Sequence, residues 1–154
     1  MNELKDRGKI NIILSNTSKR AAYVHKLLDS LGFPKVEAIL TSGELAYDYI
    51  KKNFNGKKCC WFTWDNYQSD DFFADLNVRF VRPEDADFLL FHGSQRLVYS
   101  TQESMEIDLF KTGKIDGHLL SILSIAKDRN IPAICANMDL MAIQATGQAY
   151  MPGS

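Results

Sequence analysis

Ile10-Asn11-Ile12-Ile13-Leu14, running into Ser15-Asn16-Thr17-Ser18-Lys19-Arg20, is the stretch that decides the fold class. Led in by Lys9, the first five residues are a short β-branched apolar run, typical of a buried parallel strand. The following four are polar and rich in hydroxyls. Past Arg20 the period changes: Ala21, Val24, Leu27, Leu28 and Leu31 share one helical face, and Gly32 stops it. Strand, polar loop and helix in that order form the repeating unit of α/β proteins.

The chemistry of such a loop favours an anion. The carboxyl end of the strand places Ser15 at the rim of the sheet, where open α/β folds bind ligands. The first N–H groups of the next helix, with its dipole, add donors. The hydroxyls of Ser15, Thr17 and Ser18 and the Asn16 amide crowd the same spot, with Lys19 and Arg20 beside them. A plain strand-to-helix turn in which Ser18 only caps the helix fits the same local pattern.

Working outward, residues 1–8 read as the end of a helix stopped at Gly8. A strand from Val36 to Leu40 leads into Thr41-Ser42-Gly43-Glu44, which has the spacing of a capping box and opens a helix to about Tyr49 or Ile50. After a polar, turn-rich run at 51–58, strands are expected at Cys59–Trp64, Val78–Val81, Phe88–Phe91 and Ile131–Ala136. Helices are expected at Asp70–Leu76 and over about 101–129, with a break at Thr112-Gly113-Lys114. Residues 143–151 read as a hairpin. There is no internal repeat. The fold class is α/β.

Composition narrows the function. The 154 residues are 45% hydrophobic and 24% charged, the balance of a globular domain able to bury about two-thirds of its unfolded surface. Its 18 basic and 19 acidic residues are intermixed, so no broad field points to nucleic acid or an anionic membrane. No apolar run reaches the ~20 residues of a membrane span, and the N-terminus lacks the apolar core of a signal peptide. Cys59, Cys60 and Cys135 are odd in number and two are adjacent, which argues for a reducing, cytoplasmic setting. His25, His92 and His118 share no metal-ligand spacing, and no GxGxxG or Walker motif occurs.

Four segments, in order, carry a resemblance to a known family. Ile12-Ile13-Leu14-Ser15-Asn16-Thr17-Ser18-Lys19-Arg20 resembles the second motif of haloacid-dehalogenase-superfamily phosphatases, in the subgroup with a large α/β cap. Leu31-Gly32-Phe33 with Ile39-Leu40-Thr41-Ser42-Gly43-Glu44 resembles the passage into that cap. Ala86-Asp87-Phe88-Leu89-Leu90 is similar to a cap strand. Ile134-Cys135-Ala136-Asn137-Met138-Asp139-Leu140 resembles the subgroup's A-N-P-D run, with Met138 where proline is usual. Tyr150-Met151-Pro152-Gly153-Ser154 looks like the turn by which the chain returns to the core.

The resemblance implies a partial Rossmann-like hydrolase core at 1–43 joined to an α/β cap at 44–154. It assigns Ser15 the hydrogen bond to the phosphoryl oxygen, and it places Asn16, Thr17, Asn137 and Asp139 at the substrate. For Asn137 and Asp139, a turn satisfying its own backbone is the competing reading. It further implies a small phosphorylated metabolite as substrate, an aspartyl-phosphate intermediate, and Mg²⁺ in the intact parent with ligands outside this chain. A homodimer through the cap is compatible with the family.

The family's DxD nucleophile motif is not found. Only nine residues precede Ile10, too few for the strand that carries it, so the chain is read as an internal piece of such an enzyme. Asp85-Ala86-Asp87 has the spacing but lies at the wrong end of its strand. Asp70-Asp71 reads as acids at a helix start. The competing function is a non-catalytic phospholigand-binding or interaction module. Trp61, Phe62 and Trp64 read as a buried strand rather than a stacking platform. His92 reads as a loop histidine without function, and Cys135 as inert core.

Overall fold

The computed structural model describes residues 2–69, 71–107, 109–144 and 147–151. Helix α1 (Asn2–Asp6) precedes strand β1 (Ile12–Ser15), helix α2 (Ala21–Ser30) and strand β2 (Ala38–Thr41). β1 and β2 pair in parallel, with Ser15 opposite Thr41, so both carboxyl ends lie at one edge. α2 is closed by Gly32 in a left-handed conformation (φ 71°). Phe33 N donates to Leu28 O and Gly32 N to Asp29 O, a pairing that satisfies the last carbonyls of the helix.

Helix α3 (Ser42–Asn53) leads to the larger sheet. Its strands are β3 (Lys58–Thr63), β4 (Arg79–Phe80), β5 (Phe88–Phe91), β6 (Arg96–Val98), β7 (Ser104–Glu106) and, after helices α4 (Leu109–Thr112) and α5 (Gly117–Asp128), β8 (Ala133–Cys135). β3 is central. β5 pairs with one edge in parallel, while β4 and antiparallel β6 divide the other. β7 and β8 are the outer strands. Alternation along β3 builds two cores. Cys59 and Trp61 pack with Ala46, Tyr47 and Ile50 of α3. Cys60 and Phe62 face Leu119, Ile122 and Ala126 of α5. Burying each large apolar side chain on these faces contributes about 1.5–3 kcal/mol. The hairpin β9 (Met141–Gln144) and β10 (Gly147–Tyr150) follows and is tied back where Ser94 Oγ donates to Tyr150 O.

The α/β class and the parallel strands follow the sequence pattern. Three local expectations do not. Residues 101–107 are not helical: β6 and β7 form a hairpin there, because Leu97 and Ile107 are needed on the α5 face. Among the described residues at 71–76 there are turns, with Phe72 inserted into the core, and Asp70 lies outside the described residues. Cys135 is exposed rather than core, since β8 is an outer strand. The Pro152-Gly153-Ser154 turn falls outside the described residues. Among the described residues no helix is long and apolar enough to cross a membrane.

β1 is a contrast to β3. Its neighbour among the described strands is β2 alone. Ile12 is 63% exposed and Leu14 77% exposed, and α2 buries none of its residues. An apolar parallel strand in this state has not covered the surface that its composition was built to bury.

Candidate functional site

Ser15 ends β1 at the edge shared with Thr41. Its hydroxyl oxygen accepts the Thr17 N–H at 3.3 Å, which leaves its own proton to donate elsewhere. Thr17 is built into the loop: its Oγ1 accepts Lys19 N–H at 3.3 Å and its carbonyl accepts Gly43 N–H at 3.0 Å. The end of β2 interlocks with this turn. Thr41 Oγ1 donates to Lys19 O at 2.8 Å and accepts Glu44 N–H at 2.9 Å, so Thr41 caps α3.

Glu44 completes no reciprocal capping box. Its carboxylate turns away to α2 and accepts the Ala21 N–H at 2.8 Å, with the Arg20 guanidinium on both oxygens at 2.9 Å. The Arg20 hydrogen bonds hold the Glu44 carboxyl below its ordinary value, and the Ala21 amide adds to this. The first N–H of α2 and the charge of Arg20, both expected to serve an anion at the loop, are therefore engaged by an internal carboxylate.

Two side chains of the larger sheet grip the loop from its other side. Trp64 Nε1 donates to Ser18 Oγ at 3.2 Å, and His92 Nε2 donates to Ser18 O at 3.0 Å. A carbonyl only accepts, so this bond sets the proton on Nε2, leaving Nδ1 to accept from the Thr63 hydroxyl at 3.4 Å. Ser18 is thus an acceptor for Trp64 rather than the helix cap, which falls at Arg20. His92 lies in the bend after β5, as expected of a loop residue, and is fully buried there. Its place after the apolar run Phe88–Phe91 was visible in the sequence, but its partner 74 residues away was not.

Asn16 and Asp139 meet: Asn16 Nδ2 donates to Asp139 Oδ1 at 2.5 Å. Asn137 does not reach out in the same way. It is buried, and its Oδ1 accepts Asp139 N–H at 3.0 Å, a local turn that aims Asp139 at the loop. Three of the sequence candidates, Ser15, Asn16 and Asp139, therefore line one edge, while Thr17 and Asn137 shape the turns that carry them. The buried cysteines offer no nucleophile. Burial pushes the Cys60 thiol up to about 12, with the Glu84 charge adding to it, and burial also raises the Cys59 thiol well above its ordinary value.

The family model for haloacid dehalogenase-like hydrolases matches residues 1–77, which hold the whole Ser15 loop, the entry to α3 and β3. The chain belongs to this family. As a haloacid dehalogenase-like hydrolase it pairs a Rossmann-like part with an α/β cap, and solved structures share that fold over nearly its full length. A haloacid dehalogenase-like hydrolase from Brucella suis 1330 is 19% identical with a TM-score of 0.69, over 98% of this chain and 50% of that one. A p-nitrophenyl phosphatase from Archaeoglobus fulgidus is 20% identical with a TM-score of 0.62, over 99% and 51%. A 4-nitrophenylphosphatase from Thermotoga maritima is 18% identical with a TM-score of 0.62, over 99% and 51%. The chain thus spans about half the length of these structures. No curated protein matches it by sequence.

Proposed function

We propose that this hydrolase chain is the phosphate-loop and cap part of a phosphatase acting on a small phosphorylated metabolite through an aspartyl-phosphate intermediate, with residues 1–43 as partial core and 44–154 as cap. The observation that carries the reading is the position of Ser15: a hydroxyl at the carboxyl edge of a parallel strand, held by the Thr17 amide with its proton left to donate. A donor fixed there stabilises charge growing on a phosphoryl oxygen without reorganising during the reaction. Asp139, brought to the same edge by Asn16, supports a role for the cap in lining the substrate. The uncovered apolar residues of β1 support a core completed by residues outside this chain, which would also supply the nucleophile.

Mg²⁺ takes an octahedral oxygen set that includes one or two carboxylates. Among the described residues no three His, Cys, Asp or Glu side chains converge as a metal site, and Asp139 is bonded to Asn16. The residues present do not make the site, so its ligands too would come from outside the chain, and no step is assigned to the ion. The second reading is a phospholigand-binding or interaction module without catalysis.

The coding DNA upstream of Met1 separates the two. An apolar strand ending in Asp-x-Asp-Gly supports the enzyme, whereas an in-frame stop supports the module. With nitrophenyl phosphate and Mg²⁺, the chain alone is expected to show no turnover. Metal-dependent turnover unaffected by Ser15→Ala would overturn both the split of the machinery and the role of Ser15.

A further inference from the structure

Ser18 is where the Ser15 loop meets the larger sheet, and its backbone gives that meeting a chemical consequence. The Ser18 carbonyl and the Lys19 N–H belong to one planar trans peptide group. Whatever holds the carbonyl therefore aims the N–H in the opposite direction. His92 Nε2 donates to that carbonyl at 3.0 Å, and the Lys19 N–H reaches Thr17 Oγ1 at 3.3 Å. Thr17 in turn sends its own N–H to Ser15 Oγ at 3.3 Å. A chain of three hydrogen bonds thus runs from a residue at the end of β5 to the hydroxyl at the end of β1.

The first link is held fast. The His92 ring is fully buried, with Phe72 at 4.8 Å and Trp61 at 5.9 Å between centroids, and its Nδ1 accepts from the Thr63 hydroxyl. Trp64 grips the same serine by its side chain, donating from Nε1 to Ser18 Oγ at 3.2 Å. Its indole lies on Gly93, where a Cβ would come within 2.5 Å of the ring, and Phe110 meets it edge-on at 86°. The glycine after His92 is what lets the indole reach Ser18.

We propose that His92 and Trp64 are positioning residues for the Ser15 hydroxyl, acting through Ser18, so that the set of the loop depends on the larger sheet. The functional weight of this rests on the reading of Ser15 as the phosphate donor. Neither side chain is asked to touch the anion. By linkage, a phosphate that prefers the set loop also tightens its joint with the sheet. Two bonds that only added stability would not change the loop apart from the rest of the fold.

The test uses the full ¹⁵N-labelled chain, with inorganic phosphate as the probe. His92→Met is expected to speed exchange of the Thr17 and Lys19 amides about tenfold and to weaken phosphate binding about fivefold, with β3 unchanged. His92→Gln, which keeps an N–H to donate, is expected to restore both. Trp64→Phe keeps a ring on Gly93 but no donor. It should act in the same direction, and have no further effect in a Ser18→Ala background, where its acceptor is gone. Phosphate should also move the Trp64 indole signal and leave that of Trp61, whose N–H is buried within the sheet. The proposal is overturned if the loop amides exchange as in the wild type in His92→Met and Trp64→Phe alike, or if β3 amides speed up in step with them. It is overturned for Trp64 if Trp64→Phe acts as strongly without the Ser18 hydroxyl. A wild-type chain that binds no phosphate, while its loop amides still answer to His92 and Trp64, would overturn the reading of Ser15 alone.

Discussion

Asn16 and Asp139 stand 123 residues apart in the chain, and Asn16 Nδ2 donates to Asp139 Oδ1. This bond joins the end of β1 to the turn after β8, and so ties the Ser15–Ser18 loop to the outer strand of the larger sheet. Asn16→Asp sets two carboxylates against each other and is expected to cost about 0.5–1.5 kcal/mol of unfolding free energy. Adding Asp139→Asn restores a donor–acceptor pair with the roles exchanged, so the double variant should recover most of the loss. A double-mutant cycle from denaturant unfolding reads the coupling. Additive effects would show that the contact does not hold the two segments together.

Glu44 is the ionic centre between the two strand ends. Because its folded-state value lies below the unfolded one, chiefly through the Arg20 hydrogen bonds, its contribution is fully present above about pH 4.3 and is lost as pH falls through the folded value. Glu44→Gln is expected to cost about 1–3 kcal/mol at neutral pH and to flatten the acid limb of the stability profile. Chemical denaturation between pH 3 and pH 7 (roughly the carboxylate range) checks this. Parallel profiles for the two proteins would contradict it.

Gly43 packs where Ser18 crosses the start of α3. A Cβ there would lie 1.9 Å from the Ser18 carbonyl oxygen and 2.7 Å from that of Lys19, both backbone atoms that cannot turn aside. Gly43→Ala should therefore destabilise the chain by about 1–3 kcal/mol, although alanine is the better helix former. An unchanged unfolding midpoint would mean that the loop and α3 are not in contact.

In the proposed parent phosphatase, Ser15→Ala is expected to lower turnover about ten- to a thousandfold, the loss that follows removal of one charge-stabilising donor. Stability should fall by no more than about 1 kcal/mol. Steady-state kinetics beside thermal unfolding measure both. Unchanged turnover would make Ser15 a turn residue.

Hydrogen exchange compares the two sheets. The amides of β1, with Ile12 and Leu14 on an open face, should exchange faster than those of β3, which is covered on both faces. Equal, strong protection of residues 9–40 would show that the N-terminal unit is complete without further core.

What could be read along the chain was what repeats or punctuates locally. The Gly32 stop makes its contacts within a few residues, so turn chemistry reveals it, and the apolar run at Ile10–Leu14 shows itself by composition although its partner strand β2 lies 26 residues on. Thr41 as a cap belongs to the same class, since its acceptor role needs only the Glu44 amide three residues on. The hairpin at 96–106 escaped because its short strands owe their conformation to Leu97 and Ile107 packing over α5, not to any alternation of their own. Folding alone decided that the Glu44 side chain leaves its own helix for Arg20 and Ala21, and that His92 reaches Ser18. Those bonds span 23 to 74 residues. No local pattern encodes them, because a side chain chooses its partner only when packing brings the two together and excludes water from both.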